Sequence, residues 1–173
     1  MITISELLVI DSITFNKLFT ASYARMEEGT MPWQIVGSPT SIEEKEKILK
    51  AIFDSSCGWP NSKVIIWKKD DVPIHIAAGS IFPDNPLYIH WNYAVYGPDA
   101  NNSKSWLYEE SYITQTKEYL KNTFGILGYQ ISCVKDSSLY HYHKNKPNSD
   151  SFYEITEEVS KDGVIAIITY TYK

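Results

Sequence analysis

The spacing of apolar positions changes several times along this chain, and each change predicts an element. Beyond Asp11 and Ser12, either of which can cap a helix, Phe15, Leu18, Phe19, Ala21 and Tyr23 form an apolar stripe through about residue 26. EEGTMPWQIVGSPT, rich in turn formers, reads as a loop. A clearer helix follows in SIEEKEKILKAIFDSS. Ser41 and Glu44 have the spacing of a capping box, and Ile48, Leu49, Ile52 and Phe53 share one face. KVIIWKKDDVPIHIAAGSIF then reads as two strands joined by a tight turn at Lys69-Asp70-Asp71.

The next run, PLYIHWNYAVYG, alternates. Leu87, Ile89, Trp91, Tyr93 and Val95 are expected on one face, toward a core. Tyr88, His90, Asn92, Ala94 and Tyr96 are expected on the other, where they could wall a cleft. A helix is predicted over about 106–124, with Ile113, Lys117, Leu120 and Phe124 on one side and Gly125 as its stop. GYQISCVK reads as a strand and DSSLYHYHKN as a short helix or turn. SFYEITEE and VIAIITYTY form a last hairpin across Lys161-Asp162-Gly163. The expected order is helix, helix, three antiparallel strands, helix, strand, short helix and two strands. That is an α+β chain, a single mixed, mostly antiparallel sheet flanked by helices, in one domain over 1–173.

Composition narrows the function. Net charge is −5, and the densest basic pair, Lys68-Lys69, is followed at once by Asp70-Asp71, which argues against a nucleic-acid surface. No apolar run approaches membrane-spanning length, and MITISELLVIDS has no basic region and carries Glu6, so neither a membrane span nor a targeting signal is expected. The two cysteines, Cys57 and Cys133, lack metal spacing, and Cys133 in YQISCVK reads as a small core residue. A cytoplasmic, reducing setting fits. Aromatic residues reach 14%, with 13 tyrosines, which suits strands, interfaces and ligand walls alike.

Among candidate chemistries, His141 and His143 in YHYH would make an i, i+2 metal pair if extended, but only Asp136 lies near as a further acid. No metal site is assigned. His75 and His90 are expected to face each other on neighbouring strands, as polar residues of a half-exposed sheet. VYGPDANNSKSWLYEES, residues 95–111, is a strand-to-helix connection, a common place to hold phosphate through backbone amides at a helix start. The alternative is that Ser103 or Ser105 only caps the following helix.

This order of elements resembles the GNAT superfamily of acyl-CoA N-acyltransferases. In that family a central strand ends in a loop that holds the CoA pyrophosphate, and the next strand splays away to open a V-shaped cleft. The family's glycine-rich loop is similar to NSKSWL here: Pro98 matches the preceding proline, Asn102 falls at the arginine position, and Ser103 and Ser105 stand at two glycine positions. Leu107 stands at the third, a bulky side chain where pyrophosphate would lie. The resemblance implies acetyl-CoA as cofactor, with residues 95–105 as cradle: Val95, Asn102, Ser103, Lys104 and Ser105.

It also implies a tyrosine on the short helix that protonates the leaving thiolate. Tyr142 matches that position and Lys144 the lysine two residues on, although Lys146 and Pro147 replace the family's Gly-Phe. Tyr140 is the alternative acid, and His90 is the candidate base toward an amine acceptor. A second possibility is a non-catalytic protein on the same fold, such as a phage virion or accessory factor, located in a host cytoplasm or virion. Its aromatic residues would then serve a protein partner or a homo-oligomer. The feature that separates these readings from an unrelated fold is whether the strands at 87–96 and 129–135 run parallel and diverge at their C-terminal ends.

Overall fold

The computed structural model describes residues 1–25, 41–97, 110–144 and 151–173, with backbone alone at 23–25, 138, 139 and 142. Along the chain come β1 (Ile2–Glu6), α1 (Ser12–Arg25), α2 (Ile42–Ser56), β2 (Ser62–Lys69), β3 (Val72–Ser80), β4 (Tyr88–Tyr96) and α3 (Glu110–Phe124). After them come β5 (Gly128–Val134), α4 (Ser138–Lys144), β6 (Phe152–Val159) and β7 (Ile165–Tyr172). The strands form one seven-stranded sheet in the order β1-β2-β3-β4-β5-β7-β6. Among the described strands only the β4–β5 pair is parallel. The α+β class and the mostly antiparallel mixed sheet are as expected.

The helices start where their caps dictate. Asp11 accepts the Thr14 N–H at 2.8 Å, and these bonds hold the Asp11 carboxyl below its usual range. At α2 the capping box is complete, with Ser41 and Glu44 each bonding the other's backbone. Phe15, Leu18 and Phe19 of α1 and Leu49 and Phe53 of α2 pack on Val64, Ile66, Ile76, Ala78 and Val95 of the sheet. On the opposite face α3 brings Tyr112, Tyr119 and Phe124 against Ile2, Ile65, Trp67 and Ala77. Between β2 and β3, Asp70 and Asp71 take φ of 50° and 66°, the paired left-handed conformation of a two-residue hairpin turn. Gly125 ends α3 at φ 71°, with Ile126 N–H reaching back to Leu120 O at 3.2 Å.

Three expectations are corrected. The N-terminal segment is a strand, β1, paired antiparallel with β2 from Ile2↔Lys69 to Glu6↔Ile65. Its own pattern is only two inward residues long, and the neighbouring strand supplies the rest of the reason to be extended. Secondly, His75 and His90 do not face each other: His75 lies opposite Tyr96, and His90 opposite Ser80.

The third correction concerns β4. Ala78 pairs with Tyr93 but Gly79 with Trp91, so Asn92 is an extra residue. This β-bulge reverses the alternation. Ile89 and Trp91 lie on the α3 side, whereas Tyr93 and Val95 pack beneath α1 and α2. The expected single face of Leu87, Ile89, Trp91, Tyr93 and Val95 is therefore split at Asn92. Gly79 is required beside the bulge, because a Cβ there would lie 2.8 Å from both Ile89 and Trp91.

Candidate functional site

β4 and β5 pair over only four residues each, from Tyr88↔Gly128 to Trp91↔Ile131. Past that point β4 continues to Tyr96 and β5 to Val134 with no pairing between them. Two parallel strands that part in this way leave a V with main-chain walls. The bulge at Asn92 gives a physical cause, because the extra residue bends and twists β4 just beyond the last pair.

His90 stands at the vertex. Its Nε2 lies 3.1 Å from Ser132 Oγ, across the gap where the strands begin to separate. Burial pushes the imidazole down from its ordinary value, and a hydrogen bond with Gln130 partly restores it. Phe82 meets the ring edge-on at 6.3 Å between centroids. Around it Gln130 bonds Thr169 at 3.0 Å, Asn92 bonds Ser80 at 2.9 Å, and Tyr88 lies 2.9 Å from the Thr171 hydroxyl. This sheet face is thus a set of neutral polar groups bonded across strands.

On the opposite face α4 lies over β5 and β7, where Tyr140 packs with Ile131, Cys133, Ile168 and Tyr170. Its hydroxyl donates to Glu157 Oε1 of β6 at 2.7 Å, and Lys144 Nζ donates to Oε2 at 3.0 Å. The carboxylate pushes the Tyr140 hydroxyl up to about 12, and both donors hold Glu157 below its usual range. Tyr140 would have to leave Glu157 before serving as an acid. Tyr142 is in α4, but its side chain is outside the described residues. His143 and Tyr170 form a second link. Tyr170 donates its one proton to the His143 carbonyl at 3.0 Å, so His143 Nδ1, also 3.0 Å away, donates to the phenol oxygen. Because α4 is helical, His141 and His143 point to different sides, and the extended metal pair does not form. Among the described residues no group of three or more His, Cys, Asp or Glu could hold a metal.

Of the proposed cradle, Val95 is fully buried in the core beneath α1 and α2, so only its backbone could face a ligand. Asn102, Ser103, Lys104 and Ser105, with Pro98 and Leu107, are outside the described residues. The two ends of that connection are described. At the end of β4, Tyr96 donates its N–H to Ser22 Oγ of α1 at 2.6 Å, and Gly97 N–H bonds Ile74 O at 2.7 Å. In the first turn of α3, Tyr112 Oη lies 3.1 Å from His75 Nδ1. Ser22, Tyr112 and Glu157 were not singled out by sequence, and His75 was expected only as a polar residue facing His90. Each acts through a partner many residues away, and no local pattern marks such a pair.

A parallel pair that opens into a V after a bulged central strand, on a β-α-α-β-β-β-α-β-α-β-β chain, defines the architecture of the GNAT acetyltransferases. Solved structures agree over essentially the whole chain. The Campylobacter jejuni N-acetyltransferase PseH in complex with acetyl coenzyme A superposes with TM-score 0.57 at 10% identity, covering 100% of both chains. The PaiA N-acetyltransferase of Thermoplasma acidophilum in complex with coenzyme A gives 0.54 at 15% identity and 99% of both. A Desulfovibrio desulfuricans protein described as an acetyltransferase of the GNAT family gives 0.60 at 9% identity and 99% of both. No family profile and no curated protein matches this chain. At such identities the likeness shows the fold, and this chain has the GNAT fold. No helix among the described residues is long and apolar enough to cross a membrane.

Proposed function

We propose that this protein is an N-acyltransferase that uses acetyl-CoA and an amine acceptor, working as one domain over 1–173 in the cytoplasm. The observation that supports this reading is the parting of β4 and β5 after Trp91↔Ile131. Between Asn92–Tyr96 and Ser132–Val134 the parallel ladder has ended, and strand edges of this kind accept an extended, amide-bearing arm by backbone pairing. Asn102, Ser103, Lys104 and Ser105, with the backbone from Val95 onward, would take the pyrophosphate at the mouth.

Acetyl-CoA would supply the acetyl group as a thioester, activated for transfer to nitrogen. His90 suits the base. Burial favours its neutral form, and its place at the vertex lets an imidazole nitrogen take a proton from the acceptor amine, directly or through water. Tyr142 would return a proton to the thiolate, because the Tyr140 hydroxyl is held by Glu157.

Calorimetry with acetyl-CoA and CoA tests the binding half of this reading, and thiol release in the presence of a panel of amines tests the transfer. Absence of heat and of any thermal shift at millimolar ligand would sink it. Binding without transfer to any amine would identify a non-catalytic form of the fold, a reading that the Tyr140–Glu157 bond favours. In that case light scattering at high concentration would test for self-association.

A further inference from the structure

We infer that His75 is a positioning residue: it ties the C-terminal end of β4 to the first turn of α3, the two described ends of the connection that the acyl-CoA reading assigns to phosphate. This rests on the acyl-CoA reading above. The connection leaves the sheet at Tyr96 and re-enters described structure at the start of α3. Both ends meet on His75. The Tyr96 ring stacks on the imidazole at 4.3 Å and 21°. Tyr112, two residues into α3, places its hydroxyl 3.1 Å from Nδ1. On the far side Trp67 stacks on His75 at 4.2 Å and 15°.

The surroundings of this stack are also fixed. Trp67 Nε1 donates to Thr116 Oγ1 at 2.9 Å, and Thr116 donates in turn to Tyr112 O at 2.7 Å, so strand β2 holds the first turns of α3 through the same aromatic group. Tyr96 is held from its backbone as well. Ser22 Oγ accepts its N–H at 2.6 Å and shares its own proton between Leu18 O at 2.7 Å and Tyr96 O at 2.9 Å. The chain therefore departs from a strand end with little freedom and returns on a helix turn tied to the same imidazole.

The choice of histidine points to positioning. His75 is buried, at 5% exposure, between Trp67 and Tyr96, a place that a phenylalanine could fill without burying polar nitrogens. A hydrogen-bonding atom aimed at α3 is something phenylalanine cannot provide. Backbone amides bind an anion well only when already aimed at it, so a fixed separation of the two ends is what such a segment needs.

His75→Phe and Tyr112→Phe each keep a ring and remove one side of the bond. Each is expected to weaken CoA binding about 3- to 10-fold, the effect of losing one hydrogen bond. The double variant should bind no more weakly than either single one, because both remove the same interaction. His75→Asn, which keeps a hydrogen-bonding atom near the position of Nδ1, should recover much of the loss. Hydrogen exchange gives an arm that needs no ligand: amides of Gly97 and of Thr114–Thr116, the first of α3 with an acceptor one turn back, should exchange faster in both Phe variants, with Val64–Ile66 unchanged. Wild-type affinity in both single variants, or losses that multiply in the double, would overturn the clamp. So would exchange that rises uniformly or not at all. If wild type binds no CoA, the acyl-CoA reading fails and with it the phosphate role, while the exchange arm still decides whether His75 ties the two ends.

Discussion

The two halves of this sheet are built on different terms. In the N-terminal half β2 and β3 carry continuous buried runs, Val64–Trp67 and His75–Gly79, because α1 and α2 cover one face and α3 the other. In the C-terminal half β7 alternates strictly. Ala166, Ile168, Tyr170 and Tyr172 are buried on the α4 side, whereas Ile165, Ile167, Thr169 and Thr171 are only half-buried. At the edge, β6 has one buried residue, Phe152, and carries Glu154, Glu157 and Glu158. A half filled on both faces is a rigid wall. Among the described residues the other half is packed on one face alone, and it is joined to that wall through the four β4–β5 pairs, after which the pairing ends. The lesson is that the strands part at the boundary between two packing regimes, where β4 also carries the bulge at Asn92.

The largest expected effect tests the filled half. Phe53, fully buried and edge-on to Phe15 at 5.4 Å, should cost about 3–5 kcal/mol on conversion to Ala, by loss of apolar burial and the cavity left behind. Urea unfolding measures it. A loss below about 1 kcal/mol would remove the contrast between the halves.

A second test uses pH. Full burial holds His75 down at about 3, so it stays neutral in the folded protein while the unfolded chain protonates near its ordinary value of 6.5. Above that value neither state carries the proton and the group contributes no pH dependence. As pH falls from about 6.5 toward 3, the unfolded state takes up a proton that the folded state refuses. Stability should then drop by up to about 1.4 kcal/mol per pH unit from this group. Comparing wild type with His75→Phe isolates that slope from the carboxylates, and equal slopes would show that His75 is not held neutral.

The connection between the halves gives a smaller, ligand-dependent effect. If residues 97–107 cradle pyrophosphate, Leu107→Gly should strengthen CoA binding, despite a stability cost near a helix start of up to about 1 kcal/mol. Ser105→Asp should weaken binding at least about tenfold by setting a carboxylate against phosphate, with the fold unharmed. Calorimetry on both variants checks this, and unchanged affinity in both would make the segment a capped connection. The smallest effect is expected on the half-buried face. Ile167→Thr should change stability by no more than about 0.5 kcal/mol, and a larger loss would mean that this face is covered in the folded protein.

Much of the fold was written locally. The Ser41–Glu44 capping box, the stripe of α1, the turn at Asp70 and Asp71, the stop at Gly125 and the final hairpin each follow from residues within a few positions of one another. Local rules suffice there because caps, turns and amphipathic faces are short-range interactions. The parallel pairing of β4 and β5 was expected only through the family resemblance, as the feature that separates it from an unrelated fold.

Tertiary structure alone decided the rest. The five residues of β1 become a strand because β2 offers an edge and α3 covers Ile2. The alternation of β4 reads cleanly as one face in sequence, yet the bulge at Asn92 splits it. Whether a residue is squeezed out of a ladder depends on the crowding of Gly79, Ile89 and Trp91 across two strands. At the site, His90 could be nominated by type and position, but its bond to Ser132 across the opening V could not. The attachment of Tyr140 to Glu157 and the meeting of Tyr96 and Tyr112 on His75 are likewise invisible along the chain. Those contacts join residues 17 to 42 positions apart, and only the packing of helices on a twisted, parting sheet brings them within bonding distance.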